Sequence, residues 1–227
     1  MQTPAERALI DYVGEIIKYQ PSSDTPPVII NLGAGKSTVI ESYLQERGLY
    51  FISDRLDVED CTKKAPYIRN CFQASLSDMK MVASNEYQLA FSNYVLEHVP
   101  DLEASVKEIK RILKSGGSYI VSTPNPAAPE FLFSRITPLA VHQLIRGSKE
   151  EHRAFETVYA YNSIPQLISM FEQHGFTLKK SVYFPATFTY LYRFPILRTL
   201  STWYDAVIKA LGFKWLLGNV CLVFVKE

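Results

Sequence analysis

Apolar residues near the start of the chain recur at the spacing of one helical face. They are Leu9, Val13, Ile16 and Ile17. This stripe predicts a helix over residues 4–19 that packs one side against a core. Residues 21–27 follow as Pro-Ser-Ser-Asp-Thr-Pro-Pro, a composition typical of a linker. The main part of the fold is therefore expected to begin at residue 28.

After this linker, short apolar runs alternate with stretches of helical spacing. The runs that predict strands cover residues 28–32, 49–53, 67–72, 87–92, 117–122, 176–184 and 220–226. A helix that stops at Gly48 separates the first two. Another has Asp101 as its N-cap and Gly116 just past its end, and a third begins at Ser163 and stops at Gly175. This alternation indicates a doubly wound α/β fold with a mostly parallel seven-stranded sheet, whose ligand crevice lies at the carboxyl ends of the strands.

The size and composition of the chain fit a single domain over residues 1–227. It is 47% hydrophobic and 21% charged, and its net charge of +1 argues against a nucleic-acid partner. Three cysteines without a C-x-x-C pair indicate neither a disulfide framework nor a metal site. The first ten residues lack the charged-then-apolar order of a secretory signal, and no apolar run reaches about 18 residues. We therefore expect a cytoplasmic protein that does not span a membrane.

A glycine-rich turn follows the first predicted strand. Residues 31–38 read Asn-Leu-Gly-Ala-Gly-Lys-Ser-Thr and end like a phosphate-binding loop, but that motif requires a glycine where Ile30 stands. We interpret the segment as a tight strand-to-helix turn in which Gly33 and Gly35 let the backbone approach a ligand. Asp54 stands 21 positions after Gly33, at the end of the second predicted strand. A carboxylate there can bind the two hydroxyls of a ribose, in a dinucleotide or in an adenosyl cofactor.

Three later segments distinguish between these two cofactors. Residues 88–100 read Gln-Leu-Ala-Phe-Ser-Asn-Tyr-Val-Leu-Glu-His-Val-Pro, residues 107–117 read Lys-Glu-Ile-Lys-Arg-Ile-Leu-Lys-Ser-Gly-Gly, and residues 121–125 read Val-Ser-Thr-Pro-Asn. Following the glycine turn in this order, they resemble the class I S-adenosylmethionine-dependent methyltransferases, in particular the branch of the ubiquinone and menaquinone enzymes. The resemblance covers residues 28–125 well and residues 163–184 loosely. It implies methyltransferase activity with S-adenosylmethionine as cofactor.

The resemblance also assigns contacts with the cofactor to individual residues. These are Asn31, Gly33, Gly35, Asp54, Ser75, Leu76 and Asn93. Gly33 and Gly35 would lie against the methionine part of the cofactor, and Asn93 would lie beside it at the end of the fourth strand. Asp54 would hold the ribose hydroxyls.

Ser75 and Leu76 occupy the place where the family contacts adenine. The chain departs from the family pattern at four positions. An acid is usual where Asn31 stands, a glycine where Ser37 stands, and an aspartate where Ser75 and Gln88 stand. An Asn31 side chain can still hydrogen-bond the cofactor, and Ser75 can serve adenine through its hydroxyl or through neighbouring amides. These departures leave a non-catalytic binding or scaffolding protein as the alternative function.

The catalytic residue stays open, because methyl transfer to an acceptor that is already nucleophilic relies mainly on positioning. His98, after the fourth strand, is the first candidate for a general base, with a structural role as the alternative. His142, His152 and Tyr159 lie in residues 126–160, where this fold commonly keeps a lid over its substrate. Each of these three fits an exposed or packing role as well as a catalytic one.

An aromatic and basic insertion over residues 185–218 precedes the last strand. Residues 176–218 contain eleven aromatic and six basic residues but only one acid, Asp205. The insertion can be a cap over a substrate, a dimer surface or an amphipathic element on anionic lipid. A helix is predicted over residues 196–211. Its apolar face would contain Ile196, Leu200, Trp203, Val207 and Leu211. The expected acceptor is a small or lipid-like molecule.

Overall fold

A seven-stranded sheet forms the centre of the computed structural model, which describes residues 2–19, 25–129, 131, 157–186 and 195–227. Its strands are β1 (Val28–Leu32), β2 (Ile52–Asp57), β3 (Ile68–Gln73), β4 (Tyr87–Asn93), β5 (Leu113–Pro124), β6 (Phe176–Phe184) and β7 (Asn219–Lys226). The spatial order is β3-β2-β1-β4-β5-β7-β6. Strands β1 to β5 are parallel, and β7 runs antiparallel to β5 and β6. The predicted mostly parallel, seven-stranded α/β fold is confirmed.

Helices cover both faces of this sheet. They are α1 (Pro4–Tyr19), α2 (Val39–Glu46), α3 (Leu102–Ile112), α4 (Ile164–Gln173) and α5 (Pro195–Leu211). Apolar residues of α1 and α2 pack on one face, against β1, β4, β5 and β7, while those of α3 and α4 pack on the other. No helix in the described part of the chain is long and apolar enough to cross a membrane.

N-capping residues begin α3 and α4 where the sequence predicts. The Asp101 carboxylate accepts a hydrogen bond from the backbone amide of Ala104 at 3.0 Å. Ser163 caps α4 by accepting from the amide of Gln166 at 3.4 Å, and Gly175 follows the helix at a φ of 78°. These bonds satisfy amides of the first helical turn that have no partner within the helix, and they fix where each helix begins.

Two predicted boundaries are wrong. Strand β2 is not the apolar run 49–53 but extends to Asp57, because the polar residues in its middle are buried against partners from other elements. Gly116 does not end α3. The helix ends at Ile112 and passes directly into β5, where Gly116 adopts a φ of 71° next to a register shift between β4 and β5.

The carboxyl edge of the sheet collects the chain segments of interest. It contains the turn after β1 and the ends of β2, β3, β4 and β5, and the order of the strands reverses between β1 and β4. Residues 185–218 also leave from and return to this edge, because Asn219 pairs with both Phe184 and Pro124. The predicted lid, residues 126–160, lies largely outside the described residues.

Candidate functional site

The glycine turn after β1 is tied to the end of β2. The parallel register aligns Leu32 with Leu56, which places Gly33 level with Asp57. The amides of Gly33 and Ala34 donate to the Leu56 carbonyl at 2.7 and 3.0 Å. The Gly35 amide donates to Oδ2 of Asp57 at 2.8 Å. Turn and carboxylate therefore form one rigid corner at the carboxyl edge.

The two glycines of this turn face different surroundings. Both have positive φ, 71° for Gly33 and 54° for Gly35, a conformation that favours glycine. A Cβ added to Gly33 would meet the Val95 side chain at 2.4 Å, whereas a Cβ added to Gly35 would have no atom within 4 Å. Gly33 is thus required by packing against the segment after β4, and the open space of the turn lies at Gly35.

A buried cation braces the glycine turn from beneath. The Arg55 side chain is fully buried, and its Nη2 donates to the carbonyls of Ala34, Gly35 and Ser37 at 2.9, 3.1 and 2.8 Å. Its Nη1 lies 3.5 Å from Oε1 of Glu41, which is also buried. By engaging the carbonyl oxygens of the turn, Arg55 fixes its backbone.

Asn31 stands beside this buried pair. It is 4% exposed, and its amide nitrogen donates to Oε1 of Glu41 at 2.8 Å. The sequence resemblance assigns the Asn31 side chain to the cofactor. In the structure the Asn31 amide nitrogen instead stabilises the buried pair of Arg55 and Glu41 behind the turn, because the Glu41 carboxylate needs a buried donor.

Asp54 does not end β2, so its predicted place at the carboxyl end of the strand is wrong. The residue lies in the middle of β2 with no exposed surface. Its carboxylate accepts from the Arg69 guanidinium at 2.6 and 3.0 Å, from the Asn70 amide at 3.0 Å and from the Tyr87 hydroxyl at 2.6 Å. These partners occupy the carboxylate on the amino side of the crevice, so Asp54 holds β2, β3 and β4 together.

Asp57, at the end of β2, has the position that the sequence analysis gave to Asp54. Its Oδ1 accepts from the Glu59 amide at 2.9 Å, and its Oδ2 from Gly35. A carboxylate offers about four acceptor positions, so two remain for hydroxyl donors. Val58 follows with a side chain that is 50% exposed and adds an apolar surface beside the carboxylate. Spacing alone does not separate the two carboxylates, because Asp54 stands 21 and Asp57 24 positions after Gly33.

Ser75 and Leu76 follow the end of β3 next to this corner, since the Ala74 amide donates to the Asp57 carbonyl at 2.9 Å. Ser75 is exposed, and its hydroxyl lies 2.9 Å from that of Ser77. The Leu76 side chain is buried in the core. At this position the backbone and the Ser75 hydroxyl are the groups that can meet a ligand.

Asn93 ends β4 on the other side of the turn. Its Oδ1 accepts a hydrogen bond from the Ser122 hydroxyl, and its Nδ2 donates to Glu6 at 3.3 Å. Thr3 reaches the same edge, with its hydroxyl 2.8 Å from that of Tyr94. The start of α1 therefore borders the crevice. Sequence reasoning missed these two contacts, because no local pattern links residues that are separated by 87 or by 91 positions in the chain.

Gln88, a further departure from the family pattern, lies at the opposite end of the sheet. It lines a cavity of about 350 Å³ together with Ile16, Tyr19 and residues 114–118. These residues lie at the starts of β4 and β5 and at the end of α1, on the amino edge. This cavity is therefore separate from the corner formed by the turn and Asp57.

A buried carboxyl group lies beneath the turn that follows β4. Glu97 is 4% exposed, and its Oε2 accepts from the Thr123 hydroxyl at 3.3 Å. Thr123 in turn lies 2.5 Å from the Tyr161 hydroxyl. The Glu97 carbonyl accepts from the amides of Val158 and Tyr159 at 2.9 and 3.0 Å. Glu97 thus connects the end of β5 to the segment that returns from the predicted lid.

Two of the four candidate bases, His98 and Tyr159, lie in the part of the chain that the structure describes. His98 follows Glu97 in a 3₁₀ turn after β4 and is half-buried. Tyr159 is half-buried and packs edge-to-face on Tyr161, with 6.0 Å between the ring centroids. His142 and His152 lie outside the described residues. A general base thus stays a prediction. Within the described residues, no group of three or more His, Cys, Asp or Glu could hold a metal ion.

Burial makes the stability of the protein depend on the protonation of Glu97. It raises the pKa of Glu97 from 4.5 to about 8. The folded protein therefore keeps a proton that the unfolded chain has already released, so stability is highest at acidic pH and falls as the pH rises towards 8. We expect wild-type protein to lose up to about 1.4 kcal/mol per pH unit through this group, and Glu97→Gln to lose less.

Urea unfolding at several pH values between 5 and 8 measures this difference. Glu46→Gln, at an exposed carboxyl group on α2, is the matched control and should follow the wild type. Parallel pH profiles for Glu97→Gln and wild type would contradict the assignment.

Comparison with known proteins places these features in a family. Residues 5–181 match the family described as methyltransferase domain. Demethylmenaquinone methyltransferase from Staphylococcus aureus strain JH9 is 29% identical over 119 residues, which are 45% of this chain and 49% of the relative. The chain thus spans about half the length of the curated relatives it matches.

Solved methyltransferase structures share the fold. The S-adenosylmethionine dependent methyltransferase from Mesorhizobium loti has a TM-score of 0.55 at 16% identity, covering 96% of this chain and 100% of that one. The geranyl diphosphate C-methyltransferase from Streptomyces coelicolor A3(2) has a TM-score of 0.58 at 12% identity, covering 98% and 76%. Its crystal structure contains Mg²⁺, geranyl-S-thiolodiphosphate and S-adenosyl-L-homocysteine.

Proposed function

Because the chain belongs to the methyltransferase-domain family, we propose that it transfers the methyl group of S-adenosylmethionine to a small-molecule or lipid-like acceptor. The family that the sequence predicts is thereby confirmed, and the demethylmenaquinone methyltransferase relative supports the predicted branch. The observation that carries the proposal is the corner formed by the glycine turn and Asp57, with 2.8 Å between the Gly35 amide and Oδ2.

The residues at this corner fit an adenosyl cofactor. Asp57 has acceptor positions left for the two ribose hydroxyls, and the open space at Gly35 leaves room for the methionine part. Val58 and the backbone of Ser75 and Leu76 would contact adenine. Asn93 would border the methionine end, with its orientation set by Ser122 and Glu6.

The cofactor supplies an electrophilic methyl group on a sulfonium. The protein would hold this methyl group in line with the acceptor. Such positioning accounts for much of the rate when the acceptor is already nucleophilic. Arg55 contributes by fixing the turn, and Glu97 by anchoring the returning lid segment to β5. His98 would accept a proton if the acceptor is a hydroxyl group.

Calorimetric titration tests the cofactor assignment. We expect S-adenosylmethionine and S-adenosylhomocysteine to bind, and NAD and ATP not to bind comparably. Lys36→Ala is the matched control for the phosphate-loop alternative. The Lys36 side chain is exposed, and Ile30 stands where a phosphate-binding loop has its first glycine, so this variant should bind the adenosyl ligands as the wild type does.

Two outcomes would contradict the assignment. One is a clear NAD or ATP isotherm without heat from either adenosyl ligand. The other is loss of ligand binding in Lys36→Ala, whichever of these ligands the wild type binds. Cofactor binding without turnover on any candidate acceptor would favour the non-catalytic binding or scaffolding function. The departures at Asn31, Ser37 and Ser75 motivate that alternative.

The proposal also covers the chemical class of the acceptor, the location of the protein in the cell and its assembly state. The named relatives act on demethylmenaquinone and on geranyl diphosphate, and the aromatic residues of the two insertions fit an apolar acceptor. We propose a cytoplasmic protein that contacts a membrane peripherally through residues 185–218. Dimer formation through the same residues is the alternative.

A further inference from the structure

Both tryptophans of the chain lie on the surface of residues 185–218. Trp203 on α5 is 69% exposed, and Trp215 in the following 3₁₀ turn is 61% exposed. Leu211 and Phe213 between them are 60% and 46% exposed. These four residues are named the aromatic patch. Large apolar side chains exposed within one short stretch of the chain indicate a contact surface, because water is a poor environment for them.

The described buried residues of α5 are mostly polar, whereas the aromatic patch is apolar. Its buried residues are Ser201, Asp205 and Ile208. The sequence predicts an apolar face containing Trp203, Val207 and Leu211, and the structure directs Trp203 and Leu211 outward. The side chains of Ile196 and Leu200 lie outside the described residues. The aromatic patch therefore does not complete the core beneath β7.

The charge around the aromatic patch is basic. Lys209 and Lys214 are exposed within the same stretch. Asp205 is the only acidic residue between residues 195 and 218, and it is 9% exposed. A stretch of exposed tryptophan, phenylalanine and leucine that contains lysines, and no exposed acid within residues 195–218, is complementary to an anionic lipid surface.

The aromatic patch is anchored at the edge of the sheet that contains the candidate site. The Asn125 side chain, just after β5, donates to the backbone carbonyls of Trp215 and Leu217, both at 3.0 Å. Gly212 ends α5 at a φ of 71° and turns the chain into the 3₁₀ turn. A membrane bound by this surface would therefore border the carboxyl edge, where the proposed cofactor site lies.

We propose that the aromatic patch with Lys209 and Lys214 docks the protein on anionic phospholipid bilayers. The inference rests on the proposed function only in its purpose, which is to give the site access to a lipid-like acceptor. Indole rings settle at the level of the lipid headgroups, and the lysines meet the headgroup phosphates. The helix lies along the surface without crossing it.

Vesicle binding tests the proposal on the full chain. Wild-type protein should cosediment with vesicles of phosphatidylcholine that contain phosphatidylglycerol, and less with phosphatidylcholine alone. Its tryptophan emission should shift to shorter wavelength on binding, because both tryptophans report from the proposed surface. Trp203→Ser leaves only Trp215 as a fluorescent reporter, and Trp215→Ser leaves only Trp203. The entry of each indole ring into the bilayer is therefore observed separately.

Matched variants separate the patch from unspecific binding. The double variant Trp203→Ser, Trp215→Ser should weaken the vesicle affinity roughly tenfold or more. Lys209→Gln with Lys214→Gln should weaken it about 25-fold, or about fivefold for each lysine. Tyr50→Ser, at a 73% exposed aromatic residue before β2, should leave the affinity unchanged. The exposed pair Lys63→Gln, Lys64→Gln is the corresponding charge control.

Three results would overturn the proposal. The first is no binding to vesicles at any phosphatidylglycerol content, and the second is binding that the patch variants leave unchanged. The third is a dimer in sedimentation velocity that Trp203→Ser disrupts, without vesicle binding. Titration of the same samples with S-adenosylhomocysteine keeps the two proposals apart. Cofactor binding without vesicle binding contradicts the membrane contact and leaves the proposed methyl transfer standing, and vesicle binding without cofactor binding contradicts only the proposed methyl transfer.

Discussion

Replacing Asp57 with alanine is expected to weaken S-adenosylhomocysteine binding at least tenfold, while the equivalent change at Asp54 is expected to act on stability. Hydrogen bonds to a charged group contribute about 1.5–3 kcal/mol, and about 1.4 kcal/mol corresponds to a tenfold change in affinity. Asp57 also orients the Gly35 amide, so the loss of its carboxylate affects the turn as well as the ribose contact.

The matched variant Asp54→Ala removes a buried carboxylate that joins three strands. The Arg69 guanidinium, the Asn70 amide and the Tyr87 hydroxyl would lose their acceptor. Breaking a buried ion pair from one side costs about 3–5 kcal/mol. The Arg69 side chain is 38% exposed and can regain water, so a loss near about 3 kcal/mol is expected.

Calorimetric titration and urea unfolding of both variants test this division of roles. Asp57→Ala should lose less stability than Asp54→Ala, and Asp54→Ala should bind the ligand normally while it is folded. The opposite pattern, with lost affinity in a stable Asp54→Ala and normal affinity in Asp57→Ala, would return the ribose contact to Asp54.

Alanine at Gly33 and alanine at Gly35 should have different effects, although both glycines have positive φ. That conformation costs about 1–2 kcal/mol for a residue with a Cβ. At Gly33 the new Cβ also overlaps Val95, so we expect a total loss of about 3 kcal/mol of stability. At Gly35 the space is open, so stability should fall by only the conformational cost. The added methyl group would occupy the proposed cofactor space, and we expect the affinity for the cofactor to fall by about tenfold, or about 1.4 kcal/mol.

Val95→Ala provides the internal control for this pair. Added to Gly33→Ala, it removes both Val95 Cγ atoms and should restore part of the lost stability, whereas added to Gly35→Ala it should restore nothing. Thermal unfolding and cofactor titration of the four variants measure both quantities. Equal stability losses at the two glycines, without rescue by Val95→Ala, would show that packing against Val95 does not select glycine at position 33.

The sequence by itself determined the elements whose signals are local. The stripe of α1, the caps at Asp101 and Ser163, and the largely apolar runs of β1 and β4 depend on neighbouring residues, and they predict the doubly wound fold. The methyltransferase resemblance depends on residues 28–125, where these elements follow one another in order. The glycine turn was placed correctly for the same reason, because it follows a strand that the sequence marks clearly.

Only the tertiary structure decided which side chains complete the site. Strand β2 is polar in its middle, so a local pattern ends it early and selects Asp54 as the carboxylate at its end. The buried polar residues are stable there because Arg69, Tyr87 and the carbonyls of the turn come from other elements and satisfy them. The alignment of Leu32 with Leu56 then places Asp57 beside the turn, since strand register is set by pairing and packing across the sheet, which a single segment of sequence does not specify.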